Sequence, residues 1–424
     1  MNYTTMSKEA LVRLEAELKE EYKNYQGLGL KLDMSRGKPS SLQLNVNNEM
    51  LKMPITEFTL ENGLDARNYG GVDGIPEMKR IFSDLLGIPT EQIIIGGNSS
   101  LNMMYDTLMR LFMLGLGGHE PWKKLDKIKW LCPSPGYDRH FAITETLGVE
   151  MITIPMTPTG PDMDMIEKLV AEDSSIRGMW CIPLYSNPQG IIYSDETVKR
   201  LASMKTAAPD FRIFWDNAYG IHHLFSENKL ADILTLAKEA GHADRVLYYF
   251  STSKISLPGG GIAMMAADEA TAAEVRKQIG IQTIGPDKLN QLRHVRYFKN
   301  KQGIVEHMKR HAEYLRPHFD VALKELNLQL KDDGYATWTV PNGGYFLSLD
   351  LVDGSAKRVE ELMKQAGVVI TPAGAAFPYH HDPKDRNLRI APTYPPVEEL
   401  ETCIRLLCVC VKLATAERHL KSAN

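Results

Sequence analysis

Cysteine is scarce in this chain, and none of the compositional extremes that mark specialised proteins is present. The five cysteines (Cys132, Cys181, Cys403, Cys408 and Cys410) are odd in number. None has metal-ligand spacing with histidine, so neither a disulfide framework nor a metal site is expected. They read as reduced core residues of a cytoplasmic protein. No window has the long uncharged apolar run that a membrane span needs. The opening MNYTTMSKEALVRLEAELKEEY lacks an apolar h-region, so no signal peptide is expected. A net charge of −4 gives no surplus of one sign, which argues against nucleic-acid and membrane partners. Internal repeats and low-complexity tracts are missing too. What is present is an ordinary globular composition, 43% hydrophobic and 24% charged, in a chain of 424 residues that is long enough for two domains.

Residues 7–24 place apolar and charged positions at helical spacing, so the chain opens with an amphipathic helix. An extended stretch with Ser35-Arg36-Gly37-Lys38-Pro39 follows. From about residue 76, helices alternate with apolar runs at 92–95, 128–132, 151–154, 178–183, 212–215, 246–250 and 262–266. Candidate helices occupy 101–114, 164–171, 195–205 and 270–279. Short buried strands alternating with helices predict an α/β large domain whose mainly parallel seven-stranded sheet is flanked by helices. After Pro286 the pattern changes. Residues 287–328 read as long helical stretches with a break or kink at Pro317. Strand patterns follow at 336–340, 344–349 and 387–392, with helices at 356–365 and from about 397. The expected organisation is an N-terminal arm (1–50) that joins a smaller α+β domain (311–424), beside a large domain (51–310) that the motifs below make the cofactor-binding one.

Lys254 is the most informative residue. It lies in Tyr-Tyr-Phe-Ser-Thr-Ser-Lys-Ile-Ser-Leu-Pro-Gly-Gly-Gly, residues 248–261. The aromatic run before it reads as a buried strand that delivers Ser251, Ser253 and Lys254 to a polar rim. A lysine at the end of such a strand is placed to lose its proton and attack a carbonyl. Two nearby hydroxyls suit a phosphate. Together they describe a seat for a phosphorylated aldehyde held as a Schiff base, the way pyridoxal 5′-phosphate is bound.

Other motifs fall at predicted strand ends, where parallel sheets gather ligand groups. Asp216, in Phe-Trp-Asp-Asn-Ala-Tyr-Gly, suits a protonated pyridine nitrogen, and also suits a turn or helix N-cap. Tyr219 is a donor for a phenolate oxygen, or a packing tyrosine. Asn187-Pro188 reads first as a turn. Gly96-Gly97-Asn98-Ser99-Ser100 opens a helix and presents N–H groups to a phosphate, although it matches neither G-x-G-x-x-G nor a nucleoside-triphosphate loop. In Pro135-Gly136-Tyr137-Asp138-Arg139-His140, Tyr137 suits stacking on a flat ring and His140 suits a hydrogen bond to Asp216. Arg389, in Asn-Leu-Arg-Ile-Ala-Pro, needs an anion if buried, and its fork fits an α-carboxylate; an edge arginine reaching solvent is the other reading.

In their order along the chain, from about residue 30 to the end, these motifs resemble the class I aminotransferases of the pyridoxal-phosphate fold-type I superfamily. The runs at 68–74, 96–101, 251–254 and 284–294 are similar to those of a bacterial subgroup usually described as aspartate aminotransferases. The resemblance implies ping-pong transfer, via a Lys254 Schiff base, of an amino group from L-aspartate to 2-oxoglutarate, giving oxaloacetate and L-glutamate. An alanine or aromatic donor, and a cofactor-binding regulator without catalysis, are the alternatives. It implies Asp216 at the pyridine nitrogen with His140 behind it, Asn187 and Tyr219 at the ring oxygen, and Tyr137 stacked on the ring. Gly97, Asn98, Ser99, Ser100, Ser251 and Ser253 would hold the phosphate. Tyr69 would reach the phosphate of a neighbouring subunit, which makes a homodimer with shared sites. Arg389 would clamp the α-carboxylate, with the backbone at Gly37 and Asn187 nearby. Many relatives carry a phosphate-gripping arginine seven or eight residues after the lysine; here those positions are Gly261 and Ile262. For the substrate side chain, Lys288, Arg36, Lys38 and Arg139 stay open.

Overall fold

The structure, a computed structural model, describes residues 3–422. Its strands are β1 (Leu32–Met34), β2 (Ile93–Ile95), β3 (Lys129–Ser134), β4 (Glu150–Thr157), β5 (Gly160–Pro161), β6 (Ile176–Cys181), β7 (Arg212–Asp216), β8 (Val246–Ser251), β9 (Ala263–Ala266), β10 (Ala336–Trp338), β11 (Leu347–Leu351), β12 (Val368–Ile370) and β13 (Asn387–Ile390). The large sheet runs β2-β9-β8-β7-β6-β3-β4-β5. β4, β3, β6, β7 and β8 are mutually parallel, and β9 runs against both β8 and β2. The expected seven strands are all there. The eighth, β5, is a two-residue hairpin return at the edge, too short to show a pattern in sequence.

Alternation of side chains sorts the central strands between two helix-covered faces. Ile213 and Trp215 of β7 and Val246, Tyr248 and Phe250 of β8 enter one core. Phe214, Leu247 and Tyr249 enter the other. That second face carries a row of rings, Trp122, Trp130 and Trp180, with Phe214 beside the last two at 5.3 and 5.1 Å between centroids. Gly178 makes room for it, since a Cβ there would meet the Trp130 ring and the Arg212 carbonyl. Truncating a ring in such a row costs about 3–5 kcal/mol.

The smaller region has its own core. β1 pairs in parallel with β12, and β10-β11-β13 form an antiparallel sheet. The N-terminal helix Lys8–Gly27, capped by the Ser7 side chain, buries Leu11, Leu18 and Tyr22. β1 and β12 are not legible in sequence because three residues each carry no period. All five cysteines are buried and free. No described helix is long and apolar enough to cross a membrane.

The helical stretch beyond residue 287 breaks elsewhere than expected. Lys288–Phe298 and Lys301–Leu330 are separate helices, and the second runs unbroken through Pro317. The break falls at Lys299, whose φ is +66°, and at Asn300, whose side chain caps the next helix by accepting from the Gly303 N–H. Burial of Ala312, Leu315, Phe319 and Ala322 holds the helix across the proline, so tertiary packing outweighs the lost hydrogen bond. Ile304 and Met308 of this helix pack on the large-sheet core, and residues from Ala312 onward pack on the smaller one.

Candidate active site

The parallel strands put their carboxyl ends on one rim. The loops after β3, β6, β7 and β8 therefore bring Tyr137–His140, Asn187, Asp216–Tyr219 and Ser251–Lys254 together. A cavity of about 650 Å³ opens there, lined by Tyr137, Asn187, Tyr219 and Lys254 from the rim. Gly37, Phe346, Thr371 and Arg389 line it from the smaller region.

Lys254 sits in the turn that follows β8, with Nζ 5.0 Å from the Tyr219 ring centroid and 5.9 Å from that of Tyr345. Burial draws its pKa below the ordinary lysine range, and the carboxylate of Asp216 opposes that shift. Asp216 closes β7 and is 3% exposed. Its Oδ2 lies 3.0 Å from His140 Nε2, while its buried Oδ1 has no hydrogen-bond partner. A buried carboxylate oxygen left this way is costly unless a ligand N–H reaches it. His140 is fixed from behind by stacking on Trp180, centroids 4.3 Å apart and planes 13° apart. The ring row of the core thus ends in the residue that orients Asp216.

Burial, then Tyr137 and Asp216, push the Tyr219 phenol well above its usual value. Burial and the carboxylates of Asp138 and Asp216 push Tyr137 up to about 12. Both phenols therefore stay protonated and can donate. On the open side, Ser251 Oγ donates to Ser253 Oγ at 3.1 Å, and Ser253 Oγ to the Asn98 carbonyl at 3.2 Å. Ser99 starts the helix Ser100–Met113 without a side-chain cap, which leaves first-turn N–H groups for an anion.

Positions 261 and 262, where the resemblance leads one to look for a phosphate-gripping arginine, offer no cation. Ile262 is in the core, and Asn290 Nδ2 donates to the carbonyls of Gly260 and Gly261 at 2.9 and 3.1 Å. Arg389, on β13, is buried. Its Nε donates to Thr371 Oγ1 at 3.3 Å, and Nη1 donates to Asp138 Oδ1 at 2.7 Å and to Asn187 Oδ1 at 3.5 Å. Gly37 presses on Phe346, where a Cβ would meet the ring.

Among the candidates for a substrate side chain, Arg36, Lys38 and Arg139 line the cavity. Lys288 is buried elsewhere, donating to the Gly70 carbonyl at 2.8 Å. Tyr69, 78% exposed, lies outside the cavity of its own protomer. Thr371, Phe346, Lys364 and Trp180 belong to the site without carrying any sequence motif. Asp138 lies inside a motif, yet its neighbours in sequence assign it no role.

Residues 6–423 match the family model described as aspartate amino-transferase. An aspartate aminotransferase of Corynebacterium glutamicum is 45% identical, with 98% of this chain and 99% of that protein covered. A crystal structure of an aspartate transaminase from Corynebacterium glutamicum superposes with a TM-score of 0.97 at 44% identity, covering 99% of each chain. At 21% identity, an α-aminoadipate aminotransferase from Thermus thermophilus, complexed with N-(5′-phosphopyridoxyl)-L-leucine, shares the fold with a TM-score of 0.73, covering 93% of this chain and 94% of that one.

Proposed function

This chain belongs to the aspartate amino-transferase family and is an aminotransferase, and on that premise we propose that it uses pyridoxal 5′-phosphate to move the amino group of L-aspartate to 2-oxoglutarate. The observation that carries the cofactor is the pairing of an amine with lowered pKa at Lys254 with a buried, unpartnered oxygen on Asp216. The residues fit the group. Asp216 Oδ1 would accept a ring N–H, Tyr219 and Asn187 would address the ring oxygen, and Tyr137 would offer a stacking face. Gly97, Asn98, Ser99, Ser100, Ser251 and Ser253 would take the phosphate through hydroxyls and N–H groups, since Gly261 and Ile262 supply no charge. When bound, the cofactor supplies an aldehyde that receives the amino group and a protonated ring that draws electrons from the substrate α-carbon.

The protein's own part is to position and to move protons. Lys254 Nζ, whose pKa burial lowers, takes the α-proton and later returns a proton. His140, locked on Trp180, holds the Asp216 carboxylate in its orientation. Arg389 binds the α-carboxylate. Of the other cavity-lining cations, Arg36, Arg139 and Lys364 have no ion-pair partner among the described residues, and Lys38 is only 3.9 Å from Asp33. That excess of positive charge favours a second carboxylate on the substrate. Tyr69 would complete the phosphate seat of a second protomer, so the working unit is a homodimer. A cytoplasmic location is in keeping with five buried, free cysteines.

The test is the visible spectrum of protein reconstituted with pyridoxal 5′-phosphate. A yellow band is expected, bleaching on L-aspartate faster than on L-alanine or L-tyrosine, with borohydride fixing label on Lys254. No colour and no label would overturn the cofactor reading. Faster bleaching by alanine or tyrosine would replace the donor, and colour without amino transfer would favour a regulator.

A further inference from the structure

Asp138 is the first residue of the helix Asp138–Thr146, where an acidic side chain is favourable by position alone. Its carboxylate nevertheless reaches across the cavity to β13 and holds Arg389 Nη1 at 2.7 Å. Every other contact of that guanidinium is uncharged: Thr371, Asn187, and the Phe346 ring 5.2 Å away. Both partners line the cavity. The remaining anion there, Glu360, accepts the Ala373 N–H at 2.7 Å and stays off the arginine. The site of the α-carboxylate is therefore already held by a carboxylate that belongs to the chain.

We propose that Asp138 is an internal competitor for Arg389, displaced by the substrate α-carboxylate when it binds. The inference rests on the assignment of Arg389 as the carboxylate clamp. Exchanging one carboxylate for another on the same guanidinium changes little locally, so the first carboxylate of a ligand gains less than an open arginine would give. Net affinity then comes from a second carboxylate meeting Arg36, Arg139, Lys38 or Lys364. Asp138 is a positioning residue that sets affinity, and the cationic lining, not Asp138, favours dicarboxylates.

Maleate, a dicarboxylate that cannot donate or accept an amino group, isolates the exchange. Calorimetric titration of the reconstituted enzyme should give about tenfold tighter maleate binding for Asp138→Asn than for wild type. Asp138→Glu should stay near wild type. In steady state, KM for L-aspartate should fall with Asp138→Asn by more than kcat moves. In an Arg389→Ala background the same change should no longer tighten maleate. A folded Asp138→Asn protein with unchanged or weaker maleate affinity overturns the proposal, because a residue serving only the helix start would lower Tm without tightening maleate. If that variant does not fold, Asp138→Ser is titrated in its place: tighter maleate binding supports the competitor, and unchanged or weaker binding overturns it. A wild type that binds maleate but transfers no amino group sinks the transaminase reading alone.

Discussion

The two walls of the cavity are built on opposite plans. The sheet wall is fixed: Lys254, Asp216 and His140 stand at strand ends or on a helix start, and the Trp180 stack backs them. The facing wall is assembled from segments far apart in the chain, around residues 35–38, 346, 371 and 389, and the Arg389–Asp138 ion pair, proposed above to exchange with a ligand, joins it to the sheet wall. The lesson is a division of labour. In the proposed reaction, chemistry sits where nothing needs to move, and recognition sits where a partner can be swapped.

The largest effects should come from the fixed wall. Lys254→Ala removes the proposed proton carrier and should cut turnover by more than about a thousandfold, with an unchanged far-ultraviolet circular dichroism spectrum. Asp216→Asn keeps the shape and removes the charge that a protonated ring needs. Turnover should drop by about a hundredfold or more, with weaker retention of pyridoxal 5′-phosphate on dialysis. If either variant kept near-normal turnover, the sheet wall would not be the chemical half.

A change on the opposite wall should be smaller and of another kind. Arg389→Lys keeps the charge and loses the planar fork, so KM for L-aspartate should rise about tenfold or more while kcat falls less. A variant that lost kcat and kept KM would erase the distinction between the walls.

The same division explains what was legible in sequence. Strand-end residues announce themselves, because an apolar run followed by Asp216 or Ser-Thr-Ser-Lys254 is a local pattern. Seven of the eight large-sheet strands and the residues at their ends follow from such runs. Thr371 belongs to no pattern and Phe346 only to a strand run, and only the tertiary fold brings them to Arg389. Asp138 was in plain view, but its partner lies 251 positions away. Pro317 is the reverse case: its local rule allows a break, and packing that no local window contains keeps the helix continuous.

The smallest effect concerns the seam between the walls and is one of stability. The carbonyl of Ile255, next to Lys254, lies 2.9 Å from His307 Nε2, which lies 3.0 Å from His311 Nε2. His311 Nδ1 in turn meets Gln43 of the N-terminal arm at 2.9 Å, and Ser256 Oγ meets His294 Nε2 at 2.8 Å. Burial lowers His307 to about 3, His311 to about 4 and His294 to about 4. In the unfolded chain these rings titrate near the ordinary 6.5. Between about pH 4 and 6.5 the unfolded chain therefore binds more protons than the native one, so stability falls as pH falls through that window. Each histidine can contribute up to about 1.4 kcal/mol per pH unit there. The urea midpoint should drop from pH 7 to pH 5, and His311→Gln, which deletes one of the three titrations, should show a shallower slope. A midpoint that does not move between pH 7 and 5 would mean that these histidines are open to water and that the seam between the walls is not a buried one.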